Sequence, residues 1–475
     1  MEKSKEQKAH SGPARPFSVD GQKVTVVGGA RSGVAAALLV AGRGARVTLT
    51  DLRPTLDRAE DEPRLREAGI TLEFGAHPAE IFDTSDLIVV SPGVPLTQPQ
   101  VAAARTAGIP VIGEVELASR WLTGRIVAIT GTKGKSTTTA LAGRMFTAGG
   151  FKAVVGGNIG TPLSAQVADS TPDTFHIVEV SSFQLETTDT FHPWIAVLLN
   201  FSPDHLDRHA SVAEYAKAKM KVFANQTHHD WAVINADDPQ TMIMVRDGIR
   251  ARKLLFAPDR NLKEGIVIQK GVIRDVREGD DVPLVPLSSI QLIGSHLRAD
   301  VMAAAAVARI AGVAPDAMER AVESFTGLEH ALEPVATIDG VRFVNDSKAT
   351  NVEAARRAIE SFGDGLVVIL GGRFKGGDLG LLAGPLKYLK ASVVAIGEAQ
   401  PLIQTALDGV VPVHLASTLS SAVRQAFTLA PPGGTVLLAP ACASFDMFHD
   451  YAERGEMFKK EVKRLAEESK TMREQ

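Results

Sequence analysis

Cysteine is almost missing: Cys442 is the single thiol in 475 residues. No internal disulfide can form, so a secreted, disulfide-held fold is excluded. Cys442 has no base near it in sequence and reads as a small packing residue. Aromatic residues are scarce, at 5%. No run of about 18 apolar residues occurs, so no membrane span is expected; Arg309 interrupts the apolar stretch around Val301–Ile310. Neither sign of charge dominates. The 51 Lys and Arg face 55 Asp and Glu, a net charge of −4, which argues against a nucleic-acid binder that works by bulk charge. Residues 1–19 hold Pro13 and Pro16 but no apolar signal-peptide core, so they read as a flexible tail. No internal repeat is present. Together these absences point to a cytoplasmic protein.

Glycine is abundant, at 42 residues, and hydrophobic residues make up 45% of the chain. Many glycines with few aromatics fit an α/β protein with tight strand-to-helix turns. The length suggests about three domains. The expected division is a tail over 1–19, then 20–119, 120–326 and 327–475. In the first unit, a strand at Lys23–Gly28 leads through Gly28-Gly29-Ala30-Arg31-Ser32-Gly33 into an Ala/Leu-rich helix, and a second strand stops at Asp51. This is a βαβ unit whose turn suits a nucleotide diphosphate, with a ribose or base near Asp51. The second unit has strands at Arg125–Thr130, His176–Val180, Ile195–Leu199 and Trp231–Asn235, with hairpin-like runs over 252–290. Strands at Val341–Asn345, Gly365–Leu370, Ala391–Ile396 and Gly434–Leu438 define the third.

The strongest motif is Thr130-Gly131-Thr132-Lys133-Gly134-Lys135-Ser136-Thr137, between an apolar strand and a helix. Backbone N–H groups of such a loop close around phosphates, and the helix N-terminus adds its dipole. Lys135 is placed to reach the β/γ phosphates and Ser136 to ligate Mg²⁺. The strict phosphate-loop pattern fails, because Ile129 stands where its first Gly belongs. Glu179 ends an apolar strand, where a carboxylate can hold Mg²⁺ or orient water. His205 either ligates a metal or caps a turn; for an isolated His the turn is the expected role. Tyr215, Lys219 and Phe223 share one helix face. Lys219 either snorkels or is buried with a lowered pKa, and spacing alone favours snorkelling. A neutral buried amine can take up CO₂ as a carbamate, an anionic metal ligand. In the third unit, polar loops follow three strands: Asn345–Asn351, Leu370–Gly377 and Pro440–Asp446. They suggest a carboxylate-binding pocket at strand ends.

In this order the motifs resemble the Mur ligases, ATP-dependent amide-bond ligases of peptidoglycan synthesis, from about residue 22 onward. The signatures are Gly157-Asn158-Ile159-Gly160, Val178–Thr187, Asp204–Arg208, Asn345–Asn351 and Pro440–Ser444. The last two point to the branch that adds D-glutamate to UDP-N-acetylmuramoyl-L-alanine, an ADP-forming acid–D-amino-acid ligase. The resemblance implies an α/β protein of three domains. These are a Rossmann-like domain for the UDP substrate, a central phosphate-loop ATPase-type domain with a small added β-sheet, and a Rossmann-like C-terminal domain for D-glutamate. It implies Arg31, Ser32, Asp51, Arg53 and Ser91 for the UDP substrate, with Asn158, Gln184 and His205 at its muramoyl-alanine end. It implies ATP on residues Gly131 to Thr137 and on Asp346. Ser136, Glu179, His205 and carbamylated Lys219 are implied for two Mg²⁺ sites, where Mn²⁺ can substitute. Lys348, Thr350, Lys375, Ser444 and Phe445 are implied around D-glutamate or the γ-phosphate. The implied catalytic groups are Lys135, Glu179, His205, Lys219, Lys348 and Lys375, and the implied state is a monomer.

Two departures fall on ATP contacts. Leu297 and Asp300 stand where the family has Asn, and Ala331 stands where it has Arg. Losing a charge-assisted contact costs about 1.5–3 kcal/mol. The alternatives are therefore a nucleotide-binding relative impaired in catalysis, or a sibling ligase for another amino acid. A nicotinamide oxidoreductase built on Gly28–Gly33 is disfavoured by the phosphate loop.

Overall fold

The computed structural model describes residues 17–56, 58–204, 208–277, 279, 281–291 and 297–473. Short β-branched runs bounded by glycine turns become strands buried on both faces, as parallel sheets require. The first sheet contains β1 (Lys23–Val27), β2 (Arg46–Asp51), β3 (Thr71–Phe74), β4 (Leu87–Val90) and β5 (Val111–Gly113). Its order is β3-β2-β1-β4-β5, all parallel, the Rossmann-like arrangement. The turn into helix Arg31–Ala41 has no room for a side chain at Gly33, since a Cβ there would stand 1.8 Å from the Gly28 carbonyl oxygen.

The expected tail is corrected at its end. Phe17 packs on Trp121 with ring centroids 5.0 Å apart, and Val19 belongs to the first core, because apolar partners are within reach. Residues 1–16 of that tail lie outside the described residues.

The second sheet contains β6 (Arg125–Thr130), β7 (Ala153–Gly157), β8 (Phe175–Glu179), β9 (Ile195–Leu198), β10 (Trp231–Asn235), β11 (Arg252–Ala257), β12 (Ile266–Gln269), β13 (Val272–Asp275) and β14 (Val282–Pro286). The order is β14-β13-β12-β11-β10-β9-β6-β8-β7. The small β addition takes the form of a continuation: β11 pairs parallel with β10, β12 with β11, and β12–β13–β14 then run antiparallel. Helix Glu114–Ser119 joins the first sheet to the second. Its Glu116 carboxylate accepts the backbone N–H groups of Asp189, Thr190 and Phe191 at 2.9–3.0 Å, and Arg120 at 2.8 Å. These two sheets form one compact unit.

The third sheet forms a second unit. It contains β15 (Glu333–Ile338), β16 (Val341–Asn345), β17 (Leu366–Gly371), β18 (Ser392–Ile396), β19 (Val413–Leu415) and β20 (Thr435–Leu438), in the order β15-β16-β20-β17-β18-β19. All pairs are parallel except the β15–β16 hairpin. The last strand, β20, inserts between β16 and β17. The C-terminal ends of these three strands therefore lie side by side. Helix Tyr451–Arg473 covers one face through Phe458, Val462 and Leu465.

Candidate active site

In the first unit, a cleft of about 540 Å³ opens where the turn after β1 faces the segment after β7. Arg31, Ser32, Asp51, Arg53, Ser91, Asn158 and Gln184 all line it. His205, expected beside them, lies outside the described residues. Asp51 braces the turn: its carboxylate accepts the Gly29 amide at 2.6 Å and a two-pronged bond from Arg53 at 2.7 and 3.0 Å. Burial works to raise its pKa, but the Arg53 fork and the backbone N–H groups of Arg53 and Gly29 outweigh that and hold it at about 2. Ser91 donates to the Gly28 carbonyl at 3.0 Å. Gln184 spends its oxygen capping its own helix at Ser181, while its buried Nε2 has no partner among the described residues. A buried amide donor left over in a cleft wall is suited to a polar ligand.

The phosphate loop follows β6. Gly131 and Gly134 adopt φ of +156° and +80°, and Gly134 leads straight into helix Lys135–Ala148. Asn200 clamps the loop: its side chain accepts the Lys133 amide at 2.9 Å and donates to the Lys133 carbonyl at 3.1 Å. Lys135 folds over the loop, donating to the carbonyls of Gly131 and Thr132 at 3.1 and 3.0 Å. Ser136 and Thr137 are half-buried on the first helical turn. Asp300 packs beneath: a Cβ on Gly134 would lie 2.1 Å from its Oδ1. Burial pushes the Asp300 carboxyl up to about 8 against the opposing pull of the Thr138 side chain, which favours the protonated form, close in shape to the Asn of the family pattern.

Glu179, 2% exposed at the end of β8, accepts from Asn158 Nδ2 at 2.7 Å, while its Oε2 is buried with no partner among the described residues. The snorkelling expected of Lys219 is corrected. Its side chain is 1% exposed, and Nζ donates to the Gly131 carbonyl at 2.7 Å and lies 4.7 Å from the Tyr215 ring centroid. The Tyr215 hydroxyl in turn contacts Thr132 Oγ1 at 3.3 Å, so one helix face closes directly over the loop. Burial, then the nearby Lys135 charge, pull the Lys219 amine down to about 7. A substantial fraction is thus the neutral, nucleophilic amine at physiological pH.

In the second unit the three polar loops meet at the ends of β16, β20 and β17. Lys348 and Lys375 are exposed, Thr350 is half-buried, and Ser444 is 2% exposed. Lys375 Nζ lies 5.2 Å from the ring centroid of Phe445, itself exposed. Asp346, at the end of β16, accepts the Leu332 amide at 3.2 Å, and burial pushes its carboxyl up to about 7. Backbone bonds knit the loops: Arg373 and Ala443 exchange N–H groups at 2.9 and 3.0 Å, and Ala441 donates to Ala349 at 2.9 Å. Sequence reasoning missed Arg454 at the base of this cluster. Its neighbours Glu453, Glu456 and Lys459 read as a solvent-facing helix, and no local signal marks it. Glu329, His330 and Glu456 bring ligand atoms within 4.8 Å of one another. Lys459 stands 2.5 Å from Glu329 and 2.7 Å from Glu456, filling the place of a cation.

Comparison with known proteins agrees along the chain. The Mur ligase MurD-like N-terminal domain matches residues 22–113, the Mur ligase middle domain 129–308, and the Mur ligase glutamate ligase domain 332–442. The UDP-N-acetylmuramoylalanine–D-glutamate ligase of Acidobacterium capsulatum is 48% identical over 93% of this chain and 96% of its own length. That of Koribacter versatilis is 43% identical over 96% and 100%. Among solved structures, a UDP-N-acetylmuramate–alanine ligase from Thermotoga maritima aligns with a TM-score of 0.58 at 18% identity, covering 93% of this chain and 99% of that one. A MurF ligase from the same organism, solved with ADP, aligns with a TM-score of 0.54 at 17% identity over 94% and 96%. With three matched domains in series and relatives this similar over almost the whole length, the chain belongs to the Mur ligase family.

Proposed function

We propose that this chain adds D-glutamate to UDP-N-acetylmuramoyl-L-alanine with ATP, in cytoplasmic peptidoglycan precursor synthesis. The observation that carries the reading is 48% identity, over 93% of the chain, to a relative named for that reaction. The working division is 20–119 for the UDP substrate, 120–326 for ATP and 327–475 for the amino acid, acting as a monomer. No helix among the described residues is long and apolar enough to cross a membrane.

A carboxylate is a poor electrophile. In this reading the substrate carboxylate first attacks the γ-phosphorus of ATP, and ADP leaves an acyl phosphate. The amine of D-glutamate then attacks the acyl carbon, the tetrahedral adduct collapses, and phosphate departs. The 131–137 loop supplies N–H donors to the phosphates, and Lys135 offsets their charge. Arg31, Ser32, Asp51, Arg53 and Ser91 hold the UDP end, with Asn158 and Gln184 toward the acyl end; Asp346 takes the ATP ribose. Lys348, Lys375, Thr350, Ser444 and Phe445 orient the dianionic amino acid, so attack begins from a held geometry. The unpartnered Glu179 oxygen and the Ser136 hydroxyl are oxygen donors of the kind Mg²⁺ takes and would hold it, and a Lys219 carbamate, formed from the neutral amine and CO₂ with loss of a proton, would add to them. A Mg²⁺ held by these residues would supply charge neutralisation for phosphoryl transfer.

The test is phosphate release with UDP-N-acetylmuramoyl-L-alanine, ATP, Mg²⁺ and bicarbonate, offering D-Glu, L-Glu, meso-diaminopimelate or L-Lys. Release with D-Glu alone, plus the extended product, is expected. Silence with every amino acid at millimolar ATP sinks the reading in favour of a relative impaired at Leu297 and Ala331.

A further inference from the structure

Arg454 has 0% exposure, and its side chain is among the largest fully buried ones in the described structure. Among the described residues, none of its hydrogen bonds goes to a carboxylate. Nε donates to Ser347 Oγ at 2.9 Å, Nη2 to the Ser347 carbonyl at 2.9 Å, and Nη1 to the carbonyls of Cys442 at 3.1 Å and Gly371 at 3.5 Å. A guanidinium has five N–H donors in a rigid plane. Burying its charge without an ion pair is costly unless dipoles surround it. Here the dipoles come from the loops following β16 and β20 and from the last residue of β17.

The positions of these acceptors matter. Ser347 adjoins Lys348. Gly371 ends β17, directly before the loop that carries Lys375. Cys442 lies two residues before Ser444. Ser347 Oγ is also bonded to the Tyr451 carbonyl at 2.7 Å, which ties the loop after β16 to the first turn of the helix bearing Arg454. Next to it, Gly455 has no room for a side chain: a Cβ would stand 2.2 Å from His330 Nδ1. The helix start is thus pressed against the segment that precedes β15. Burial lowers the Arg454 pKa to about 10, with the charges of Cys442 and Asp446 opposing it through space, which still leaves the guanidinium charged at neutral pH.

We infer that Arg454 is a positioning residue for the amino-acid subsite, a single buried fork that sets the spacing of the three loops bearing Lys348, Lys375 and Ser444. The inference rests on the proposed D-glutamate reading for its kinetic consequence, though not for the coupling of the loops. Arg454 touches no substrate in this account. It works by fixing backbone carbonyls, so the lysines and the serine hydroxyl meet a bound dianion without reordering.

Two variants test it in the full-length chain. Arg454→Lys keeps the charge and loses the fork. Ser347→Ala removes the side-chain acceptor and leaves the guanidinium in place. The expected result is a KM for D-glutamate raised at least tenfold in Arg454→Lys and about three- to fivefold in Ser347→Ala, with the KM for the UDP substrate within twofold of wild type. Hydrogen exchange gives a readout independent of turnover: amides in 346–351, 372–377 and 440–446 lose protection together, while β16, β17 and β20 keep theirs. Folded variants with an unchanged D-glutamate KM, or with every KM shifted alike, overturn the positioning role. Loss of protection in one loop only overturns the coupling. Should Arg454→Lys fail to fold, Ser347→Ala decides both points. A wild-type chain silent with every amino acid overturns the D-glutamate reading and the kinetic role with it, and exchange still decides the coupling.

Discussion

Glu114 is wholly buried at the start of helix Glu114–Ser119, with Oε1 accepting the Ser164 amide at 2.6 Å and Oε2 without a partner among the described residues. Burial pushes its carboxyl from 4.5 up to about 6, against the opposing pull of the Ser164 hydrogen bonds. Between those values the folded chain binds the proton more readily than the unfolded one. The contribution of this group is therefore full below pH 4.5 and is lost as pH rises through 6. At pH 7.5 the ionised side chain costs roughly 2 kcal/mol. Glu114→Gln, which keeps an acceptor for the Ser164 amide, is expected to be the more stable protein at pH 7.5 by up to about 2 kcal/mol, with the advantage gone at pH 4. Urea unfolding at both pH values checks this, and an equal difference at both contradicts it.

At the scale of elements, the Glu116 clamp holds the connecting helix. It is the shared partner of three consecutive backbone N–H groups and of Arg120. Removing it strands buried donors, each worth about 1–3 kcal/mol. Glu116→Ala is expected to lower stability by about 3 kcal/mol or more and Glu116→Gln by less, read as melting temperature. This clamp also shows the limits of the sequence. A boundary near residue 119 follows from the strand and motif spacing, yet Val115 and Ala118 pack into the second core, a choice made by tertiary contacts. Elements with strong local signals were legible: β6, β10, β13 and β16 fall where their β-branched runs lie. The strands β3, β7, β15 and β19 were not. β3 and β19 are short edge strands with few buried residues, so they lack the apolar run that marks a central strand. Among site residues, the loops were legible through their glycines and cations. The depth of Lys219 was not, because spacing places a side chain on a face without saying what closes over it. Arg454 left no local trace, since its acceptors on Ser347 and Gly371 lie 107 and 83 residues away in sequence.

For the molecule as a whole, the third sheet has apolar layers of its own. Leu366, Val368 and Ile403 lie on one face, and Phe343, Val423 and Phe458 on the other, with no residue from the first two sheets in either cluster. This unit is thus equipped to open in its own cooperative step. Cys442 lies inside it, 0% exposed, and burial pushes its thiol up to about 11. Both shielding and a scarcity of thiolate protect it from reagents. Because no other sulfhydryl exists in the chain, an aromatic disulfide dye should label the native protein at least about 100-fold more slowly than the urea-unfolded one. Fast stoichiometric labelling of the native chain would contradict that. The lone sulfur is then a stopwatch supplied by the protein itself, timing how often the unit of the third sheet comes apart without an engineered label.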